Sequence, residues 1–297
     1  MEGFGYNLLQ MKKYRVHFGF ILIALFCFYS CSFRPMVVPP WPKWQSAGQM
    51  DPYTLVSALN KRYPTIESFK SRIQIQVEGL DPSPPTLNGE IILQKPHSVR
   101  LRTYTPTGGI AFDLLYKERE LEFYLPHRRE LVIIPLNEMH SLELGGSPFT
   151  LPHPEEWWRL LEPWEKLPLA ENPNFILEPS KEQGRVIFKE NLEGGLQYLL
   201  DWKTGRIETL SVNQQFLIRY QNWRPLKSHE MATEILWKPI RSDDPFQENK
   251  LQIKFHLSKI KENLQIPEKA FRSIDHEGAK VTRLGENQGL KEGMALP

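Results

Sequence analysis

Apolar and polar residues alternate along most of this chain, and the period changes at only two places. In "SRIQIQVEG", Ile73, Ile75 and Val77 stand between Arg72, Gln74, Gln76 and Glu78. That spacing predicts a strand with one dry and one wet face, as in antiparallel sheet. "LNGEIILQKP", "HSVRLRTYT", "IAFDLLYK", "ELEFYLP" and "RELVIIP" continue the pattern. Turn residues separate them at Lys95-Pro96, Thr107-Gly108-Gly109 and Pro126-His127-Arg128, which predicts a meander of about six strands. A second series follows in "NFILEPS", "GRVIFKE", "LQYLLDW", "RIETLSV", "QFLIRYQNWR", "MATEILWKP" and "NKLQIKFHLSKIKEN", with a tight turn at Lys203-Thr204-Gly205.

The helical period precedes each series. Asp51 can cap a helix, Pro52 is tolerated at its first position, and Leu55, Val56, Leu59 and Tyr63 recur at helical spacing until Pro64 stops it. Further on, Pro154, Glu155 and Glu156 make a helix start, and Trp157, Trp158, Leu161 and Trp164 form an apolar stripe. The order of helix, strands, helix, strands predicts a mainly β (α+β) fold and excludes a doubly wound one. A large curved sheet must cover its concave face, and the two striped helices are the available cover.

The ends of the chain read differently. The apolar run Phe18–Tyr29 is too short for a bilayer-spanning helix, which needs about 20 residues. Lys12, Lys13 and Arg15 precede it and Ser30 and Cys31 follow it, the anatomy of an export signal over residues 1–30. The start is either Met1 or Met11, and "MKKYRVHFGF" makes the better basic region. Residues 31–50 are Pro-rich and aperiodic, and predict an extended tether that keeps a folded domain, 51–271, clear of a bilayer. Residues 272–297 are polar and aperiodic and predict a disordered tail.

Charge and chemistry narrow the function. The net charge of +2 is carried by the signal, where Lys12, Lys13 and Arg15 stand against Glu2. The rest is near neutral, with no overall surplus for nucleic acid or anionic headgroups. The two cysteines, Cys27 and Cys31, both lie in the signal region, so the domain has no disulfide. No zinc spacing, nucleophile elbow or phosphate loop is present, and neither a metal nor a cofactor is expected. His127 and His153 read as solvated turn residues, and Glu155 and Glu156 as first-turn residues favoured by the helix dipole. An enzyme, such as an envelope hydrolase, is therefore not expected. The eight Trp and sixteen Phe either pack the core or also line an apolar cavity between helix and sheet.

Two resemblances follow. "LIALFCFYSCSF" resembles a bacterial lipoprotein signal, with Phe28 where Leu is usual. That resemblance implies cleavage before Cys31 and acylation of it. An ordinary signal or an uncleaved anchor is the alternative, and Cys27 is the weaker candidate. Ser32 is not the Asp that retains many such lipoproteins at the inner membrane.

"LNGEIILQKPHSVRLRTYTPTGGIAFDLLYKERELEFYLPHRRELVI", with "SPFTLPHPEEWWRLL" and "LQIKFHLSKIKENLQIPEKAF", resembles the LolA/LolB-like superfamily of bacterial lipoprotein carriers and receptors. The resemblance covers about residues 51 to 271 and implies an incomplete antiparallel barrel of about 11–13 strands, with helices closing its open side. It implies an outer-membrane lipoprotein facing the periplasm, which holds acyl chains of a lipid or lipoprotein and meets a periplasmic carrier protein. Leu101, Phe112, Leu114, Phe123, Trp157, Trp158 and Leu161 are the candidate cavity positions. In the receptor branch a projecting loop carries an exposed Leu for membrane insertion. The matching hairpin here is Thr107, Gly108, Gly109 and Ile110, with no Leu, so Ile110 either takes that role or starts the next strand. The rival expectation is a structural or interaction lipoprotein whose barrel is filled by its own side chains.

Overall fold

The computed structural model describes residues 41–44, 51–96, 98–135, 141–143, 150–152, 157–164, 175–180, 184–190, 195–212, 216–226, 229–240, 251–273 and 278–283. The signal, Cys31, most of the tether, His153, Glu155 and Glu156 lie outside them.

The first element is the helix Pro52–Arg62. The Asp51 side chain accepts a hydrogen bond from Thr54 N at 2.8 Å, which satisfies one of the free amides of the first turn. Leu55, Val56 and Leu59 are buried along one stripe. Tyr63 is already extended, and Pro64 cannot continue the helix.

The first meander comprises β1 (Ser68–Glu78), β2 (Leu87–Gln94), β3 (Ser98–Tyr104), β4 (Ile110–Lys117), β5 (Glu120–Leu125) and β6 (Glu130–Pro135). A separate hairpin is made by β7 (Ser141–Glu143) and β8 (Thr150–Pro152), followed by a short helix, Trp158–Leu161. The second meander comprises β9 (Phe175–Pro179), β10 (Arg185–Glu190), β11 (Gln197–Asp201), β12 (Arg206–Val212), β13 (Phe216–Pro225), β14 (Glu230–Pro239) and β15 (Gln252–Glu262). A last strand, β16, spans Lys280–Arg283.

Among the described residues, fourteen strands form one open sheet in the order β16-β6-β5-β4-β3-β2-β1-β15-β14-β13-β12-β11-β10-β9. The two meanders join at β1, which pairs antiparallel with β15. At this seam Ile73 faces Leu257 and Ile75 faces Phe255, while Gln74 faces His256 and Gln76 faces Lys254. One face of the sheet is thus apolar and the other polar, as the alternation predicts. Gly89 sits where β2 and β3 approach closely: a Cβ there would lie 2.2 Å from Arg102 O. The mainly β, incompletely closed architecture is the expected one. The main sheet exceeds the expected strand count by one, because β16 adds to the thirteen strands of the meanders.

The inner face is one continuous core. It runs from Phe69 and Ile73 through Leu93, Leu101, Leu114 and Tyr116 to Ile235, Trp237, Leu210, Leu200 and Phe188, and includes residues of both helices.

The outer face carries a second, small core. Phe271 packs on Ile92 and Leu115. Beside it the Asp113 carboxylate accepts from Arg100 Nη2 at 2.7 Å and from Arg102 Nη2 at 2.8 Å. Arg100 Nη1 also donates to the carbonyls of Ala270 and Arg272, each at 2.9 Å. The segment Ala270–Arg272 is therefore strapped on the outside of the sheet. Further on, β16 pairs parallel with β6. This corrects the expectation of a disordered tail for residues 280–283. Three of the four side chains are polar and Val281 is exposed, so the pairing depends on backbone groups, which leave no hydrophobic period to read.

The mid-chain helix is shorter than the stripe predicts. It has four residues, and Glu162 is already extended.

Candidate acyl-chain cavity

Four of the expected cavity residues come together on the inner face. Leu101 lies directly opposite Leu114 across β3 and β4, and Leu114 opposite Phe123 across β4 and β5. The Phe112 and Phe123 rings are 5.6 Å apart. Leu101 and Leu114 are buried, whereas Phe112 and Phe123 are half-buried. Trp157, Trp158 and Leu161 are buried in the same core cluster, on the segment that covers it.

That covering segment, 157–164, is held at four points. Glu162 accepts from Ile66 N at 2.5 Å and from Lys95 Nζ at 2.7 Å. Trp164 Nε1 donates to Asn60 Oδ1 of the N-terminal helix at 2.8 Å. The Tyr220 hydroxyl of β13 donates to Arg159 O. Trp164 also packs on Tyr198 and Phe188, with ring centroids 5.3 and 5.8 Å away. Burial raises the Glu162 carboxyl above its ordinary value, against the Lys95 hydrogen bond that lowers it. Burial likewise pushes Tyr63 up to about 12, although its hydroxyl accepts from Ile207 N at 3.0 Å.

Glu162, Asn60 and Tyr220 were not singled out from the sequence, and Lys95 only as a turn residue. An acidic residue directly after the apolar "WWRLL" was the available signal for Glu162.

Two details bear on chemistry. The Trp158 indole is buried, yet its Nε1 has no hydrogen-bond partner among the described residues, an arrangement that costs about 1–3 kcal/mol. Lys95 Nζ lies 5.2 Å from the centre of its ring. Between the covering segment and the sheet, Tyr63, Leu161, Trp164, Tyr220, Trp223 and Met231 enclose a void of about 10 Å³, the size of one water.

The hairpin Thr107–Ile110 is closed by Thr105 N donating to Gly109 O at 2.7 Å and by Gly108 N donating to Thr105 O at 2.9 Å. Thr107, Gly108 and Gly109 are exposed, and Ile110 is the first residue of β4, opposite Tyr104. The tip presents no large apolar side chain to solvent. His127 is exposed in a 3-10 turn, Pro126–Arg128.

No family model and no curated protein matches the chain. Solved structures do. The chain is similar to proteins of the LolA superfamily. One is a LolA superfamily protein from Nitrosomonas europaea, 9% identical over 74% of this chain and 96% of the other, with a TM-score of 0.46. Another is a putative outer membrane lipoprotein-sorting protein domain from Vibrio parahaemolyticus, 11% identical over 76% of this chain and 97% of the other, at 0.47. A third is a DUF1329 family protein from Desulfovibrio piger, 9% identical over 74% and 95%, at 0.48.

Proposed function

We propose that this is a lipoprotein of the bacterial envelope, anchored through acylated Cys31 in the outer membrane, that binds acyl chains of a lipid or lipoprotein beneath segment 157–164. It hands them on without covalent chemistry, with a periplasmic carrier as its partner. The observation that carries this reading is Trp158. A buried indole with a free N–H beside a continuous apolar face suits an ester- or amide-linked acyl chain, whose carbonyl can accept that hydrogen bond while its methylenes replace side-chain contacts. Each buried methylene contributes about 0.8 kcal/mol. The void of about 10 Å³ beside Leu161 and Trp164 is far too small for an acyl chain, so in this reading segment 157–164 lifts on binding.

Native mass spectrometry of the full chain, gently purified as a Cys31→Ser variant, tests this. Phospholipid or acyl adducts that are lost in Trp158→Glu support it. Trp158→Phe keeps the bulk and removes the donor. It should weaken binding of ester-linked chains more than of free hydrocarbon. A second reading, an interaction scaffold with a self-filled barrel, is favoured by the close packing around Trp164. A clean apo mass with no uptake of added lipid would establish that reading instead.

A further inference from the structure

Residues 41–44 of the Pro-rich tether pack on the domain. Trp41 lies against the turn between β11 and β12, and its Nε1 donates to Trp202 O at 2.8 Å. Its ring meets Trp44 edge-on at 5.2 Å and carries the Arg62 guanidinium 5.8 Å from its centre. Lys203 Nζ stands 5.7 Å from the Trp202 ring. All three indoles are half-buried, not buried, while Lys43 and Lys203 are exposed beside them. Glu230 of this end is already taken by Arg62 and Arg206, at 2.7 and 2.8 Å. Asp201 accepts from the backbone of its own turn. Among the described residues, the near-neutral chain therefore carries a local excess of cations here, mixed with half-exposed tryptophans.

We propose that this end of the sheet is a bilayer-docking face that rests on the anionic phospholipid headgroups of the membrane holding the N-terminus. Indoles favour the headgroup level, where one edge is apolar and the other wet. Lysines beside them are drawn to an anionic surface within a Debye length. Chain length agrees. Nine residues lie between Cys31 and Trp41, ten Cα steps, so docking limits the reach from the anchor to about 35 Å. The docked tether then holds the domain against the bilayer instead of keeping it clear. Strand direction adds a consequence. The β11–β12 turn and the Thr107–Ile110 hairpin lie at opposite ends of the strands. With the tryptophan end down, the hairpin faces away from the anchoring membrane.

The proposal rests on the N-terminus being membrane-held, by acylated Cys31 or by an uncleaved apolar run, and the test separates the two questions. The full chain, in a Cys27→Ser background, is reconstituted into vesicles of phosphatidylethanolamine and phosphatidylglycerol. A fluorophore sits at Lys203→Cys or at Thr107→Cys, and quenching by lipids spin-labelled near the headgroup is read. The expected result is several-fold stronger quenching at 203 than at 107. It should weaken in phosphatidylcholine alone, at high salt, and with the exposed charge reversal Lys43→Glu. Trp41→Ala with Trp44→Ala should abolish the difference. Equal quenching at the two sites, or stronger quenching at 107, on a chain that floats with the vesicles overturns the docking face. A chain that does not float at all overturns the anchor as well, and the mass of the N-terminal peptide shows whether Cys31 was acylated.

Discussion

The Trp41 ring lies so close over Gly205 that a Cβ there would stand 2.4 Å from Trp41 Cε3. Gly205 also has a φ of +69°, a conformation that costs an L-residue about 1–2 kcal/mol. Gly205→Ala is therefore expected to lower stability by about that amount and to expel Trp41. Thermal unfolding reads the first effect. Protease cleavage between residues 38 and 50, faster than in the parent, reads the second. An unchanged cleavage rate would sink the clamp.

Asp113 is flanked by two arginines in the outer face, with its side chain 3% exposed. Asp113→Ala leaves both cations without their anion and is expected to cost about 3–5 kcal/mol in urea unfolding. Arg100→Met keeps the apolar stem but frees the Ala270 and Arg272 carbonyls. It should expose the chain around Phe271 to limited proteolysis before the main sheet opens.

Glu230 supplies a pH signature. The Arg206 hydrogen bond holds its carboxyl below the ordinary value of 4.5. The folded state therefore favours the charged form. The contribution is complete above that ordinary value and fades as pH falls through the lower folded one. Glu230→Gln should cost about 1 kcal/mol at neutral pH, because the group is partly solvated, and nothing in strong acid. Equal losses at both ends of the pH range would contradict the assignment.

Glu162 behaves in the opposite sense. Burial raises its carboxyl, so its contribution is full at low pH and is lost as pH rises through the raised value. It also pins segment 157–164 to Ile66 and Lys95. Glu162→Ala should speed uptake of an acyl-linked fluorophore several-fold if the segment is a lid. Stopped-flow mixing checks this. Lower stability with no uptake would favour the self-filled barrel.

The strands were legible because a half-buried strand writes its two faces into alternate residues, as Ile73, Ile75 and Val77 do. The first helix was legible from Asp51, Pro52 and Pro64, whose backbone chemistry is local. The mid-chain helix was overextended because Trp157, Trp158, Leu161 and Trp164 have helical spacing, yet Trp164 is buried by Tyr198 and Phe188 after the helix has ended. The inner-face set was only partly legible. Leu101, Phe112, Leu114 and Phe123 follow from strand parity, but Glu162 and Lys95 meet only through tertiary packing. Arg100, Arg102 and Asp113 had a usable signal: an acid inside apolar "IAFDLLYK", on the same face as two arginines across the "TPTGG" hairpin. The docking of Trp41 had none, since proline-rich chain shows no period whether it is bound or free.

The seam between β1 and β15 sets the order in which such a chain can assemble. Every other antiparallel pair in the main sheet joins sequence neighbours, so each meander can form by short loop closures, whereas Ile73 must find Leu257. Closures over long separations are slow. Until residues 252–262 arrive, β1 carries a bare edge and the two half-sheets expose their apolar faces. Refolding is therefore expected to show two fast local phases followed by one slow joining step, with aggregation concentrated in the interval between them.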